Sequence, residues 1–279
     1  MSESASLVRG ADAQAVRGPR ISPSSHVRRR TRLRRLTLAI GTVAFLGLAV
    51  VTYRAEPLPG DLEIARAVQT LDGPWIHAPL WALSAIGFPP IVGLLYAAIA
   101  FAIFLAGARR EAFVAALATS GAAGLHRIMV DIAMRPRPSP DLLEVAHQLP
   151  IHSSFTAGHV QNATSFFGFL CYLLCVRMAP SLRRTLILHV LVFAMVGMGI
   201  ARVYFGEHWP TDVIGGYLLG VLWLIVMMEL YEWLEKRADR RSSNTAHKLH
   251  GVASPRSRRT NNSLRRMTLG LPDARHKGC

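Results

Sequence analysis

The sequence predicts an all-α polytopic membrane protein, a six-transmembrane helix bundle with disordered basic tails. Three observations predict it. Hydrophobic residues make up 51% of the 279 and mean hydropathy is +0.28, which suits a multi-span membrane protein better than a soluble enzyme. The apolar residues fall in runs of about 18–28. At ~1.5 Å rise per residue, about 20 residues cross ~30 Å of hydrocarbon. The formal net charge of +15 is concentrated at the ends. Nine of the 32 Lys and Arg precede Leu36 and twelve lie from Lys236 onward, and each tail holds only two acids.

Taken in order, residues 1–35 are rich in Ser, Arg, Pro and Gly without an apolar period, and are read as a disordered tail. Leu36 to Tyr53 is the first span. A basic flank before an apolar run resembles a signal peptide, but no small-residue cleavage pattern follows, so it is read as an uncleaved anchor. Arg54 to Ala78 is mixed and polar, with weak helical spacing over Asp61 to Leu71. Five more spans follow at 80–107, 112–133, 159–177, 185–202 and 213–233. The first of these is expected to break near Gly87-Phe88-Pro89-Pro90. Residues 36–235 thus form the membrane domain and 236–279 a second disordered basic tail.

The charges support six spans. Arg109-Arg110, Arg177 with Arg183-Arg184, and both tails fall on one side, which the positive-inside rule makes cytoplasmic. The loops at 54–78, 134–158 and 203–212 then face outward. Five spans would place the tails on opposite sides. Basic tails beside spans are read as topology signals and contacts with anionic lipid headgroups rather than as a nucleic-acid surface. Cys171 and Cys175 lie one helical turn apart in an apolar run and Cys279 is the last residue, which makes neither a disulfide framework nor a zinc site.

The outward loops carry the chemistry. Between two apolar runs stand Arg202, His208 and Asp212. A carboxylate can fix the tautomer of a histidine, leaving the other ring nitrogen free to attack an electrophile, and a guanidinium suits phosphate. After the third span, Arg135-Pro136-Arg137-Pro138 holds two arginines in extended chain, because proline stops the helix. At the start of the fourth span, Ser153-Ser154-Phe155-Thr156-Ala157-Gly158-His159 sets a glycine and a histidine at a helix N-terminus, whose free N–H groups favour anions. Each motif alone has a plainer reading: a capped helix end, an interfacial arginine anchor, an N-cap at Thr156. Together they make a phosphoryl-transfer constellation without metal ligands.

At these residues the chain resembles the type-2 phosphatidic acid phosphatase superfamily, whose core is related to vanadium haloperoxidases. The family pattern is K-x6-R-P, P-S-G-H and S-R-x5-H-x3-D. The third part matches at Arg202, His208 and Asp212 within Gly199 to Gly216, and the resemblance runs from about 60 to 235. It implies a membrane lipid phosphatase with no metal or cofactor, acting on a phosphate monoester or diphosphate of a phosphatidate-like or undecaprenyl-diphosphate-like lipid. His208 would form a phosphohistidine, Asp212 would orient it, and His159 would protonate the leaving group and then activate water. Arg137, Arg202, Gly158 and Arg135 would hold phosphate.

The chain departs from the pattern in three places. Val130 stands where the lysine is expected, Thr156-Ala157 replace Pro-Ser, and Ala201 precedes Arg202. Arg127 is one candidate to replace the lysine, against pairing with Asp131; Thr156 or Ser154 are candidates for the serine. These losses keep two alternatives open: a lipid phosphotransferase using the same residues, and a weakly active or non-catalytic lipid-binding protein.

Overall fold

The computed structural model of the chain describes residues 25–71, 73–87, 89–146 and 153–252. These residues form eight helices in order: α1 (Ser25–Thr52), α2 (Asp61–Gln69), α3 (Pro74–Ile86), α4 (Pro89–Leu105), α5 (Arg109–Ala133), α6 (Gly158–Arg177), α7 (Leu182–Tyr204) and α8 (Pro210–Val252). No strand occurs among the described residues. Among the described residues, five helices are long and apolar enough to cross a membrane. They become six if α3 and α4, bent by 70° at their junction, count as one broken span. The proline-rich break expected near Gly87 is therefore where the chain turns, since Pro89 and Pro90 cannot donate the hydrogen bonds that would continue α3.

The bundle is apolar outside as well as inside. On α1, Ile40, Val43, Leu46 and Val50 are all more than half exposed, a face suited to lipid rather than water. Interior packing relies on small side chains, as expected where lipid removes the hydrophobic drive between helices. Ala112, Ala115, Ala118 and Ala122 form a buried stripe on α5. Gly216 and Gly220 on α8 let α6 approach. A Cβ at these positions would lie 2.7 Å from the Ala157 carbonyl oxygen and 2.9 Å from that of Gln161.

The predicted tails need a correction. Residues 25–35 are the first turns of α1 and residues 236–252 the last turns of α8. Arg, Ala and Lys are good helix formers, so each span continues beyond its apolar stretch. Arg34 on α1 also pairs with Glu232 on α8 at 2.7 Å, tying the α1 extension to the last span. The rest of both tails, 1–24 and 253–279, lies outside the described residues. The weak spacing over 61–71 is helix α2, opened by Asp61 and Glu63 in its first turn, where acids favour the helix dipole.

Candidate active site

The end of α5, the start of α6, the end of α7, the start of α8 and helix α2 meet at one end of the bundle. Helix α5 stops at Met134, whose φ of 49° lies in the left-handed region, and Pro136 and Pro138 keep the next residues extended. This strand-like segment is clamped to the approach to α6. Ser154 N–H donates to the Arg135 carbonyl at 2.9 Å, and Arg135 N–H donates to Ser153 Oγ at 3.2 Å. Between α7 and α8 the chain turns at Gly206, with φ of +61°. Glu207 and His208 N–H both donate to the Arg202 carbonyl, at 3.0 and 3.2 Å, folding the loop under the last turn of α7.

That fold buries His208 to 2% exposure. Its Nδ1 lies 2.7 Å from the Ser154 carbonyl oxygen. A carbonyl only accepts, so Nδ1 carries the proton and Nε2 keeps its lone pair. Nε2 faces Arg137 Nη1 at 3.5 Å. Burial, and then the charge of Arg137, push the His208 pKa well below the ordinary imidazole range, so the ring is neutral at working pH. A buried neutral imidazole with one lone pair aimed at a guanidinium can act as a nucleophile toward an anion that the guanidinium holds.

The expected bond from Asp212 to this ring takes a different form. Asp212 Oδ2 is 3.9 Å from His208 Nδ1, because the Ser154 carbonyl occupies the direct position. Asp212 instead organises the ring's support. It accepts from the Ser154 hydroxyl, from Trp209 N–H at 2.9 Å and from Arg135 Nη1 at 2.5 Å, while its own carbonyl accepts from Ala157 N–H at 3.1 Å. One carboxylate thus ties the His208 loop, the approach to α6 and the end of α5 together.

Arg135 is a correction. The sequence places it among the phosphate groups, but its side chain is fully buried between two carboxylates. Nη2 donates to Asp61 Oδ2 at 2.6 Å, and Nη1 to Asp212 and, at 2.8 Å, to Thr211 Oγ1. Asp61, which sequence reasoning passed over, also accepts from Thr211 N–H at 3.0 Å. Arg135 is therefore a structural bridge between α2 and α8.

Arg137 and Arg202 are brought beside His208. Arg137 donates from Nη1 to the Glu207 carbonyl at 2.5 Å and from Nη2 to the Ser153 carbonyl at 3.1 Å. Arg202 forms a buried ion pair with Glu207 and donates from Nη2 to Ser84 O and Oγ at 3.0 and 3.1 Å. His159 stands on the first turn of α6, and Gly87 packs on the Arg202 guanidinium, where a Cβ would lie 2.9 Å from Nη2. The α3–α4 break thus closes over the site. No side chain caps α6 at Ala157, which leaves its first N–H groups without a capping partner. Gly158 lets the His126 ring rest on this turn: a Cβ there would lie 2.6 Å from that ring.

The candidate substitutes are placed elsewhere. Arg127 points outward, pairing with Asp131 at 3.3 Å across two exposed side chains. The Thr156 hydroxyl meets Gln161 Oε1 at 3.2 Å and that of Ser154 goes to Asp212. Ala201 is buried with Leu80, Tyr204 and Phe205. Asp61, Glu207, Ser84 and His126 were missed. Glu207 adjoins His208 and His126 lies four residues before Val130, so both had a local signal. Asp61 and Ser84 had none. A cavity of about 1090 Å³ lies at the far end of the bundle, lined by Arg109, Glu111, Leu173, Arg177 and neighbours, and includes none of the site residues.

Residues 111–236 match the PAP2 superfamily, a stretch that holds every group of the His208 site except Asp61, Ser84 and Gly87. That match spans a little under half of the chain. Phosphatidylglycerophosphatase B of Bacillus subtilis (strain 168) is 26% identical to it over 180 residues, 64% of this chain and 86% of its own length. Decaprenylphosphoryl-5-phosphoribose phosphatase of Mycobacterium tuberculosis (strain ATCC 25618 / H37Rv) is 28% identical over 169 residues, 60% of this chain and 88% of that protein. The solved structure of a transmembrane PAP2 type phosphatidylglycerolphosphate phosphatase from Bacillus subtilis superposes with a TM-score of 0.61 at 22% identity, covering 70% of this chain and 96% of that one. That likeness establishes the fold: the multi-pass helix bundle of that protein.

Proposed function

We propose that this chain is an integral-membrane lipid phosphatase that works through a phosphohistidine. The observation that carries the proposal is His208, buried and neutral, with Nδ1–H held by the Ser154 carbonyl and Nε2 directed at Arg137. The Nε2 lone pair attacks phosphorus. Arg137, Arg202, Gly158 and the free N–H groups of α6 hold the non-bridging oxygens. As the bond from phosphorus to the lipid oxygen breaks, His159 gives that oxygen a proton. His159 then takes a proton from water, the water oxygen attacks phosphorus, and phosphate leaves His208. Asp212 holds the Ser154 segment and the His208 loop in register. The chemistry is written without a metal, so turnover in excess EDTA is expected to continue.

A lipid substrate fits a site at the end of apolar helices. The named activities of the relatives suggest phosphatidylglycerophosphate and polyprenyl-linked phosphates as first substrates, with phosphatidate and undecaprenyl diphosphate beside them. The basic groups Arg109, Arg110, Arg177, Arg183 and Arg184 lie at the opposite end from His208. By the positive-inside rule this supports an extracytoplasmic site in the cell membrane, with both termini cytoplasmic and the basic tails near anionic lipids. Val130 and Ala157 keep the non-catalytic reading as the alternative, and water's replacement by an alcohol acceptor would make the same site a phosphotransferase.

The test is phosphate release by the purified protein in detergent with EDTA, on phosphatidylglycerophosphate, phosphatidate and a polyprenyl diphosphate. His208→Ala is the control, and an added alcohol tests transfer. Release by wild type alone supports the proposal. Equal rates from wild type and mutant, with both folded, would favour the non-catalytic reading.

A further inference from the structure

We propose that His126 is a substrate-binding residue whose imidazole takes a non-bridging oxygen of the substrate phosphate, replacing the lysine absent at Val130. This rests on the phosphatase reading and extends it to a residue outside the motifs. The first ground is position. Ala122, Val130 and Ala133 are buried on α5, and His126 falls on the same stripe at spacings of four, four and three. Val130 offers no charge. The nearest cation in sequence, Arg127, points outward to Asp131 with 76% of its side chain exposed. His126 is thus the basic side chain that this stretch of α5 turns inward.

The second ground is contact. Three ring atoms of His126, Cδ2, Nε2 and Cε1, lie 2.6–2.7 Å from where a Cβ on residue 158 would stand. The ring rests on the first turn of α6, beside the N–H groups that lack a cap and one residue from His159.

The third ground is an unmet bond. His126 Nδ1 is buried and has no hydrogen-bond partner among the described residues. A buried ring nitrogen without a partner is rare and calls for an explanation. With hydrogen on Nδ1, as in the Nδ1–H tautomer or the imidazolium, that nitrogen would donate to a phosphate oxygen. The plainer role, a ring that only fills space over Gly158, leaves Nδ1 unexplained.

The experiment compares His126→Phe, which keeps a flat ring without donors, with His126→Gln, which keeps an N–H, and His126→Ala/Val130→Lys, which returns a cation. Two readouts are taken: kcat and KM for phosphatidylglycerophosphate, and the thermal shift produced by inorganic phosphate or orthovanadate. His126→Phe is expected to lower kcat/KM about ten- to a hundredfold, the range of one charge-assisted hydrogen bond, and to weaken the anion-induced shift similarly. His126→Gln should retain more of both, and Val130→Lys should restore part of what His126→Ala loses. A His126→Phe protein that melts like wild type with unchanged KM and unchanged anion shift would overturn the proposal. So would an absence of any anion shift in wild type. If wild type binds the anion but turns over no lipid, the phosphatase reading fails while the anion shift still decides the role of His126. If His126→Phe does not fold, the Gln variant is compared on the same two readouts, and wild-type anion binding in Ala/Val130→Lys without recovery over Ala alone would count against it.

Discussion

Replacing Arg135 separates a structural arginine from a phosphate-binding one. Its guanidinium stands between Asp61 at 2.6 Å and Asp212 at 2.5 Å, with no side-chain exposure on any of the three. Arg135→Ala leaves two buried carboxylates, one of which also supports the His208 loop. Removing one partner of a buried pair costs about 3–5 kcal/mol, because the remaining charge is uncompensated. Asp212 retains Ser154 and Trp209, and Asp61 retains Thr211 and Leu58 N–H at 3.0 Å, so the lower part of that range is expected. For a chain of this size about 3 kcal/mol corresponds to roughly 6–12 °C in melting temperature. The assay is a thermal melt in detergent of wild type, Arg135→Ala and Arg137→Ala, with kcat and KM measured well below each melting point. Arg135→Ala should melt lower, and Asp61→Asn in the same chain should recover part of the loss by removing one stranded charge. Arg137→Ala should melt near wild type and lose kcat/KM by ten- to a thousandfold. An Arg135→Ala protein with wild-type melting and a raised KM would refute the reasoning and return Arg135 to the phosphate.

Gly206→Ala should destabilise strongly, since a Cβ would lie 2.2 Å from the Val145 carbonyl oxygen at a φ of +61°. The left-handed backbone alone costs about 1–2 kcal/mol, and the obstructing atom is backbone, so a thermal melt should fall by several degrees with activity lost through the displaced His208. The buried, neutral His208 sets a sign for pH dependence. Its folded pKa lies below the unfolded value of about 6.5, so below that pH the unfolded chain binds a proton that the folded chain does not. Stability therefore falls as pH drops below about 6.5, by up to ~1.4 kcal/mol per unit from this residue. His208→Asn should flatten that slope in melts taken between pH 4.5 and 7. Arg127→Leu should leave both kcat/KM and melting within about 0.5 kcal/mol of wild type, because its ion pair is exposed; a large loss of activity would place Arg127 in the site after all.

The residues proposed to do the chemistry were legible because their motifs are local. Arg202, His208 and Asp212 lie within eleven residues, and proline after Arg135 and Arg137 stops a helix whatever the tertiary context. Hydropathy and the distribution of arginines were enough for the spans, since a membrane crossing is a property of one segment. Their limits were less legible: the extension of α1 depends on helix propensity and on Arg34 reaching Glu232, and that of α8 on helix propensity, not on apolar content. What the sequence by itself determined is therefore a multi-pass helical membrane protein, the order of its spans and a set of phosphate-type residues near their ends. Only the tertiary structure decided which arginine faces His208 Nε2 and which is spent on buried carboxylates. Arg135 and Arg137 are two residues apart in the same extended segment, yet one meets Asp61, 74 positions away, and the other meets His208, 71 positions away. Partners so distant in sequence are chosen by helix packing, which no local pattern records.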